Sequence, residues 1–360
     1  MLSLDIPQLT AMPVIWFLLI AVLWIGFFVL EGFDFGVAML YPVIGGKSDV
    51  KRRVMVNAIG PTWDGNEVWL LTAGGAMFAA FPGWYATLFS ALYLPLLLVL
   101  LGLIARGIAF EYRSTHPDTK WRNAFDWCST IGSFIVTLVL GVGFGNFVRG
   151  LKVGPDMLIA GGFVDRFFGL FTPYALLSGI MFVVLFAAHG AQFLAIKTKS
   201  EVEASARKTA DLLTPIAAAL VAIFVVWGAL SYPLVANPFI GGLGTVLRLV
   251  VGLLAVICLV GAWYAGRKNR PGLAFIGSAL GIVTLVASIF VSMFGTLGFI
   301  DASGGALASL NIVTAASSNL TLTLMTVVAC IMVPVVLGYT AWAYWVFRKR
   351  LDTTDIPVEA

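Results

Sequence analysis

Four acidic residues stand where acids are costly. Glu31 and Asp34 lie in Val-Leu-Glu-Gly-Phe-Asp-Phe-Gly, inside a long apolar run. Asp64 and Glu67 lie in Pro-Thr-Trp-Asp-Gly-Asn-Glu-Val-Trp, at the head of the next run. Each pair is spaced i, i+3, so on a helix its two carboxylates share a face. Ionisable groups inside a membrane are rare and mark proton or ion paths, and clustered carboxylates there share protons as a coupled set. The pattern suits a proton relay. Plainer readings stand beside it. Asp64 follows Pro61 and fits a first helical turn, where the dipole favours an acid. Glu67 fits a wet interface, and Asp34 fits a buried ion pair with a base such as Arg106.

Other candidates are few. His116 sits in a basic connection and reads as solvated. His189, in Phe-Ala-Ala-His-Gly-Ala-Gln-Phe, reads first as a hydrogen-bonded interior residue, with haem ligation or a proton path as the alternatives. Two histidines cannot hold several bis-histidine haems. Arg106, Glu111, Tyr112 and Arg113 close one apolar run, and Trp121, Arg122, Asn123 and Asp126 follow. They read as a charged hinge or as a contact with a partner subunit that also helps to set proton affinities. Cys128, Cys258 and Cys330 have no paired spacing and read as small core residues. No CxxCH, phosphate-binding loop or carboxylate–histidine metal cluster occurs, and Gly141-Val-Gly-Phe-Gly145 follows no strand.

The elements that must position these residues are membrane helices. The 360 residues are 60% hydrophobic and only 11% charged, far below an ordinary soluble domain. The apolar runs predict nine spans near 13–39, 62–81, 84–109, 125–148, 167–193, 210–230, 247–266, 272–296 and 321–346, forming a single all-α integral membrane domain over 1–360. Basic residues test the count. Lys47, Lys51, Arg52, Arg53, Arg106, Arg113, Lys120, Arg122, Lys197, Lys199, Arg207, Lys208, Arg267, Lys268, Arg270, Arg348, Lys349 and Arg350 fall on one side. Of the 22 basic residues, only Arg149, Lys152, Arg166 and Arg248 fall on the other. The positive-inside rule then puts the N-terminus outside and the C-terminus in the cytoplasm. The longest connections, near 149–166, 231–246 and 297–320, face outside. No cleavable signal pattern is visible and no connection offers a soluble or nucleic-acid-binding domain. Trp63, Trp84, Trp121, Trp127, Trp342 and Trp345 lie near predicted ends, as interfacial anchors do. Gly32/Gly36 and Gly141/Gly145 give the spacing of close helix packing. A secondary transporter binding a cation or proton with the same carboxylates is the rival class, but no inverted internal repeat is evident.

The acidic motifs also carry a family resemblance. Glu31-Gly-Phe-Asp34-Phe-Gly and the block Trp63-Asp64-Gly-Asn-Glu67-Val-Trp69 through Pro82 resemble subunit II of cytochrome bd-type quinol oxidases. So do Arg106, Phe110-Glu-Tyr-Arg113, Trp121-Arg-Asn, Trp127, Ile131-Gly-Ser-Phe, Gly141 to Asn146 and Thr314-Ala-Ala-Ser-Ser-Asn-Leu-Thr-Leu. The match is dense over 23–150 and loose over 200–300, and it extends to the cyanide-insensitive branch. The resemblance implies two four-helix bundles plus a peripheral ninth helix, in a bacterial cytoplasmic (inner) membrane. It implies pairing with a subunit I that holds haems b and d and the quinol site, and a complex that oxidises quinol and reduces dioxygen to water without pumping. This subunit then binds no haem, covalently or axially; a structural quinone and a small accessory subunit are both compatible with the pattern. Asp34 and Asp64 match family acids implicated in proton delivery from the cytoplasm, with Glu31 and Glu67 beside them. Trp63, Arg106 and Glu111 are read as subunit contact or electrostatic support. This chain has Glu31 where some members have Asp, Glu67 where some have Gln, and His189 where some have Gln.

Overall fold

The computed structural model describes residues 9–154, 156, 159, 162, 167–234, 237–302 and 309–356. The chain is mostly helical. Helix α1 (Ala11–Met39) runs into a π-helical turn at Tyr41–Gly45, followed by α2 (Asp49–Ile59), α3 (Trp63–Ala80), α4 (Pro82–Ala91), α5 (Tyr93–Tyr112) and α6 (Thr119–Arg149). After strand β1 (Leu151–Val153) come α7 (Pro173–Lys197), α8 (Ser200–Ser231), α9 (Gly241–Arg267) and α10 (Pro271–Met293). Strand β2 (Phe299–Asp301) and α11 (Asn319–Val346) complete the order. Among the described residues, eight helices are long and apolar enough to cross a membrane: α1 and α5 to α11.

The differences from the predicted spans have local causes. The run 62–81 becomes α3, whose 18 residues carry Asp64 and Glu67 and which is not among those eight. The run 84–109 is two helices meeting at Leu92. Pro95 has no N–H to donate to the carbonyl four residues back, so the ladder breaks at that point. Helix α6 begins at Thr119 rather than 125, because the Asp118 side chain accepts a hydrogen bond from Lys120 N and caps it. Helix α8 begins at Ser200 rather than 210, through a polar first stretch that apolar counting cannot see. The short α2 was not foreseen at all; Ser48 caps it by accepting from Lys51 N. Arg166 and parts of the connections 149–166, 231–246 and 297–320 lie outside the described residues.

Helix α7 is the hub, packing on α1, α6, α8 and α10. Glycine makes those approaches possible. A Cβ at Gly36 would stand 3.0 Å from the Gly190 Cα and closer still to the Phe186 carbonyl, both on α7. A Cβ at Gly141 would stand 2.8 Å from the Gly179 Cα, and one at Gly145 3.0 Å from the Ala175 Cα. Both predicted small-residue pairs are therefore contact points. Gly36→Val forces α1 off α7 through backbone atoms that cannot turn aside; it is expected to cost about 3 kcal/mol or more of stability, read as a lowered thermal midpoint of the purified protein. An unchanged midpoint would show that the contact is not needed.

The end carrying the basic connections is tied by charge. Asp126 on α6 accepts from Arg113 Nε at 2.6 Å and Arg52 Nη1 at 2.8 Å. Arg113 also reaches Asp49 at 2.7 Å, and Arg122 reaches Asp49 at 3.1 Å. Burial alone would raise the Asp49 carboxyl, but Arg113 and Arg122 outweigh it and hold its pKa below the usual value. A lowered acid pKa stabilises above the unfolded value and loses that contribution only as pH falls through the folded one, so this clasp holds at neutral pH and loosens in acid. The hinge read from Arg113, Arg122, Asn123 and Asp126 is thus an ion-pair network joining α2, α5 and α6.

At the other end β1 and β2 pair in parallel, Leu151 opposite Phe299. Ser317 N donates to Ala80 O at 2.9 Å and its hydroxyl to Ala79 O at 2.6 Å, closing the C-terminus of α3. Helix α11 lies on the outside, with only Leu322 buried. It is held by Trp16 Nε1 donating to Leu322 O and Thr326 Oγ1, and at its far end by Tyr344. The chain after α11 returns to the α7–α8 junction, where Leu351 exchanges backbone hydrogen bonds with Lys197 and Lys199.

Two sequence readings are corrected. The cysteines are not core residues: Cys128 and Cys330 are exposed and Cys258 is half-buried. On a membrane helix an apolar residue can as readily face lipid as the interior. Trp84 is no interfacial anchor but a core residue, buried and stacked on Phe17 at 6.0 Å.

Candidate functional site

Helices α1, α3 and α5 bring the acidic motifs together. Glu31, Asp34 and Arg106 are each 0% exposed. The i, i+3 spacing sets Glu31 and Asp34 on the inward face of α1, as predicted. Arg106 of α5 forms an ion pair with Glu31 through Nη1 and approaches Glu67 of α3 at 3.4 Å. Its guanidinium lies 4.8 Å from the Phe35 ring, 5.4 Å from Phe110 and 5.7 Å from Trp63. Trp63 stacks on Phe110 at 4.8 Å, so these rings wall the cation on the α3–α5 side. Aromatic faces and a carboxylate offset the loss of water that burying a guanidinium entails.

Asp34 does not pair with Arg106, against one of the readings given to it. Its Oδ2 accepts from Asn66 Nδ2 at 2.7 Å, and the Asn66 carbonyl oxygen accepts from the Tyr344 hydroxyl at 2.9 Å. This chain of polar groups runs from α1 through α3 to α11. The motif contains Asn66 without marking its role, and nothing in the sequence marks Tyr344. Asn66 sits between Asp64 and Glu67, so spacing could have suggested it; Tyr344 is 278 residues away from Asn66 and only the fold brings it in.

Asp64 and Glu67 are placed differently. Glu67 is half-buried, its side chain 23% exposed against Arg106. Asp64 is exposed in the first turn of α3 and outside the buried cluster. Glu111 is exposed as well. Arg106, counted in the sequence among the charges of a connection, is instead within α5. Beyond the ion pair that Arg106 Nη1 makes with Glu31 Oε1, the buried set leaves Glu31 Oε2, Asp34 Oδ1, and Arg106 Nε and Nη2 without a hydrogen bond of good geometry. Such atoms are costly unless water or an exchangeable proton meets them. A dry structural salt bridge would leave fewer of them.

The two histidines are placed differently. His189 is fully buried, with Nδ1 2.7 Å from Ser278 Oγ and Nε2 3.1 Å from Val29 O. Val29 O can only accept, so Nε2 carries a hydrogen, and in the neutral ring Nδ1 accepts from Ser278. The ring stacks on Phe275 at 4.7 Å. Both nitrogens are engaged, which is the interior reading. His116 is exposed and accepts from Asp118 N.

Comparison with known proteins gives the family. The family model for cytochrome bd terminal oxidase subunit II matches residues 12–347. The chain is 37% identical to Escherichia coli cytochrome bd-I ubiquinol oxidase subunit 2, over 95% of this chain and 96% of that one. It is 37% identical to Bacillus subtilis cytochrome bd ubiquinol oxidase subunit 2, over 94% and 96%. The solved structure of bd oxidase from Geobacillus thermodenitrificans shares the fold, with a TM-score of 0.69 over 93% of this chain and 98% of that one, at 15% identity. The chain belongs to the cytochrome bd terminal oxidase subunit II family.

Proposed function

We propose that this chain is the haem-free second subunit of a terminal quinol oxidase of the bacterial cytoplasmic membrane, and that it carries protons inward from the cytoplasmic face. Family membership and the naming of its relatives support the oxidase reading over a transporter. A haem-bearing subunit I would supply the electron path and the dioxygen chemistry. The alternation of basic residues supports nine spans with the N-terminus outside and the C-terminus in the cytoplasm, α3 being counted as a span. Packing of α7, α8, α9 and α10 around one another supports one four-helix bundle; α1, α3, α5 and α6 would make the other, with α11 peripheral.

The observation that carries the proton reading is the buried set Glu31, Asp34 and Arg106, with its unpartnered oxygens. Asp64, exposed at the start of α3, takes up a proton from the cytoplasmic side. Glu67, one turn further along the same face, passes it past Arg106 to Glu31. Arg106 limits the negative charge that the carboxylates hold together, so a proton entering the set is shared rather than trapped. Asn66 and Tyr344 fix Asp34 for onward transfer.

Asp64 is the link most open to challenge, because it lies outside the buried set. Asp64→Asn is expected to slow oxygen consumption per haem by about tenfold, with the haem absorption spectrum unchanged. Wild-type turnover in a normally assembled variant would remove Asp64 from the route and leave Glu67 as its mouth.

A further inference from the structure

The outermost helix reaches the buried acids through one side chain. Helix α11 buries only Leu322, yet Tyr344 near its C-terminus turns inward. The Tyr344 ring meets Phe33 of α1 edge-on at 6.5 Å. Its hydroxyl donates to Asn66 Oδ1 at 2.9 Å, and Thr62 is a second hydrogen-bond neighbour of that hydroxyl. The chain beyond α11 holds the ring in place: Lys197 Nζ donates to Phe347 O, and Arg350 Nη2 donates to Glu203 Oε2 at 2.6 Å.

Asn66 is 2% exposed, and the two ends of its amide are opposite in character. The oxygen only accepts and the nitrogen only donates. Turned one way, the amide gives Asp34 a hydrogen; turned the other way, it sets one oxygen against another. Two neighbours decide the turn. Leu30 O, a backbone carbonyl that can only accept, lies 3.4 Å from Nδ2. Tyr344 supplies the hydrogen that Oδ1 needs, since a buried acceptor left empty is costly. Held so, Nδ2 donates to Asp34 Oδ2 at 2.7 Å. The two oxygens of Asp34 thereby become unequal: Oδ2 is taken by the amide and Oδ1 is not. Glu31, one turn back on α1, stands within hydrogen-bond reach of Asp34.

We infer that Tyr344 is a positioning residue for proton transfer: through Asn66 it commits Asp34 Oδ2 and leaves Oδ1 as the atom that exchanges the proton with Glu31. In that step the O–H bond of a protonated Glu31 breaks and one forms on Asp34 Oδ1. The negative charge passes to Glu31, where Arg106 faces it. The inference rests on the relay reading. It adds to that reading a residue of the peripheral helix that acts without taking the proton itself.

The test uses the intact oxidase complex purified through this chain, with oxygen consumption per haem measured in light and in heavy water. Tyr344→Phe removes one oxygen atom and keeps the ring against Phe33. It is expected to slow turnover about fivefold, the scale of one ordinary hydrogen bond. The ratio of light-water to heavy-water rates is expected to rise, because proton transfer then limits turnover. A purely structural role would lower haem content and leave that ratio alone. Tyr339→Phe, at an exposed tyrosine of the same helix, is the control and is expected to match wild type. Asn66→Leu removes the amide and is expected to slow turnover at least as far. Adding Tyr344→Phe to it is expected to change nothing further, since the hydroxyl acts only through the amide. Asn66→Ala completes the same cycle if the leucine variant does not assemble. Wild-type turnover in Tyr344→Phe, with Asp34→Asn slow, would overturn the inference and leave the relay standing. A double variant slower than Asn66→Leu by the full Tyr344→Phe factor would also overturn it, because the hydroxyl would then act without the amide. Wild-type turnover in Asp34→Asn would remove the relay itself, and this inference with it.

Discussion

Asp34→Asn is expected to reduce oxygen consumption per haem by about a hundredfold while the complex still assembles, within the range for losing a positioned proton-transfer group. The two side chains have the same shape. The carbonyl oxygen of the new amide still accepts from Asn66 Nδ2, which now holds Asp34 at 2.7 Å. Oδ1, the atom without a partner, is where the change bites. As a carboxylate oxygen it accepts a proton and releases it; as an amide nitrogen it does neither. A merely structural role predicts a different pattern. Haem content and turnover would then fall together, and turnover per haem would stay near wild type. The measurement is oxygen uptake by purified complex in proteoliposomes, normalised to haem absorbance, with proton uptake followed by a trapped pH dye. Unchanged turnover per haem and unchanged dye response would make Asp34 an inert core acid. The relay would then have to end at Glu31.

Some of this was open to reading from residue spacing alone. The i, i+3 pair Glu31/Asp34 within an apolar run leaves one inward face for both side chains, and both are buried there. The glycine pairs on α1 and α6 foretold the close contacts with α7, because a missing side chain at four-residue intervals has few other uses in a membrane. Asp64 and Glu67 have the same spacing as the α1 pair, yet only Glu67 turns toward Arg106. Spacing says that two residues share a face, not what that face meets. The hydrogen-bond partner of Asp34 lies beyond spacing for the same reason. Arg106 is the nearest base in type, but Asn66 and Tyr344 are what the fold supplies. The cysteines show a further limit. In water an apolar residue is drawn inward, whereas in lipid either side of a helix serves, so composition cannot assign Cys128 or Cys330 to the core.

Arg106→Leu is expected to be the most damaging single change to stability, about 3–5 kcal/mol, the range for removing one partner of a buried ion pair. That is a large share of the net stability of a typical protein. Arg106 is wholly buried, pairs with Glu31, approaches Glu67, and stands against the rings of Phe35, Trp63 and Phe110. Leucine fills part of the space but leaves Glu31 Oε1, the oxygen that Arg106 Nη1 meets, buried without a cation. The loss therefore comes from the stranded acid more than from the missing cation, and this can be separated by experiment. Glu31→Gln in the same chain removes the stranded charge, so the double variant is expected to be more stable than Arg106→Leu alone, by about 1–3 kcal/mol of coupling. Glu31→Gln by itself should be the mildest of the three, since Arg106 keeps Glu67 and its three rings. Thermal denaturation of the complex in detergent, followed by the fluorescence of tryptophans such as Trp63, reports all three variants on one scale. If the two single effects simply add in the double variant, the residues do not act as a pair. Arg106 would then stabilise the α3–α5 contact through its aromatic packing, and the relay would lose the cation that keeps its carboxylates from holding too much negative charge at once.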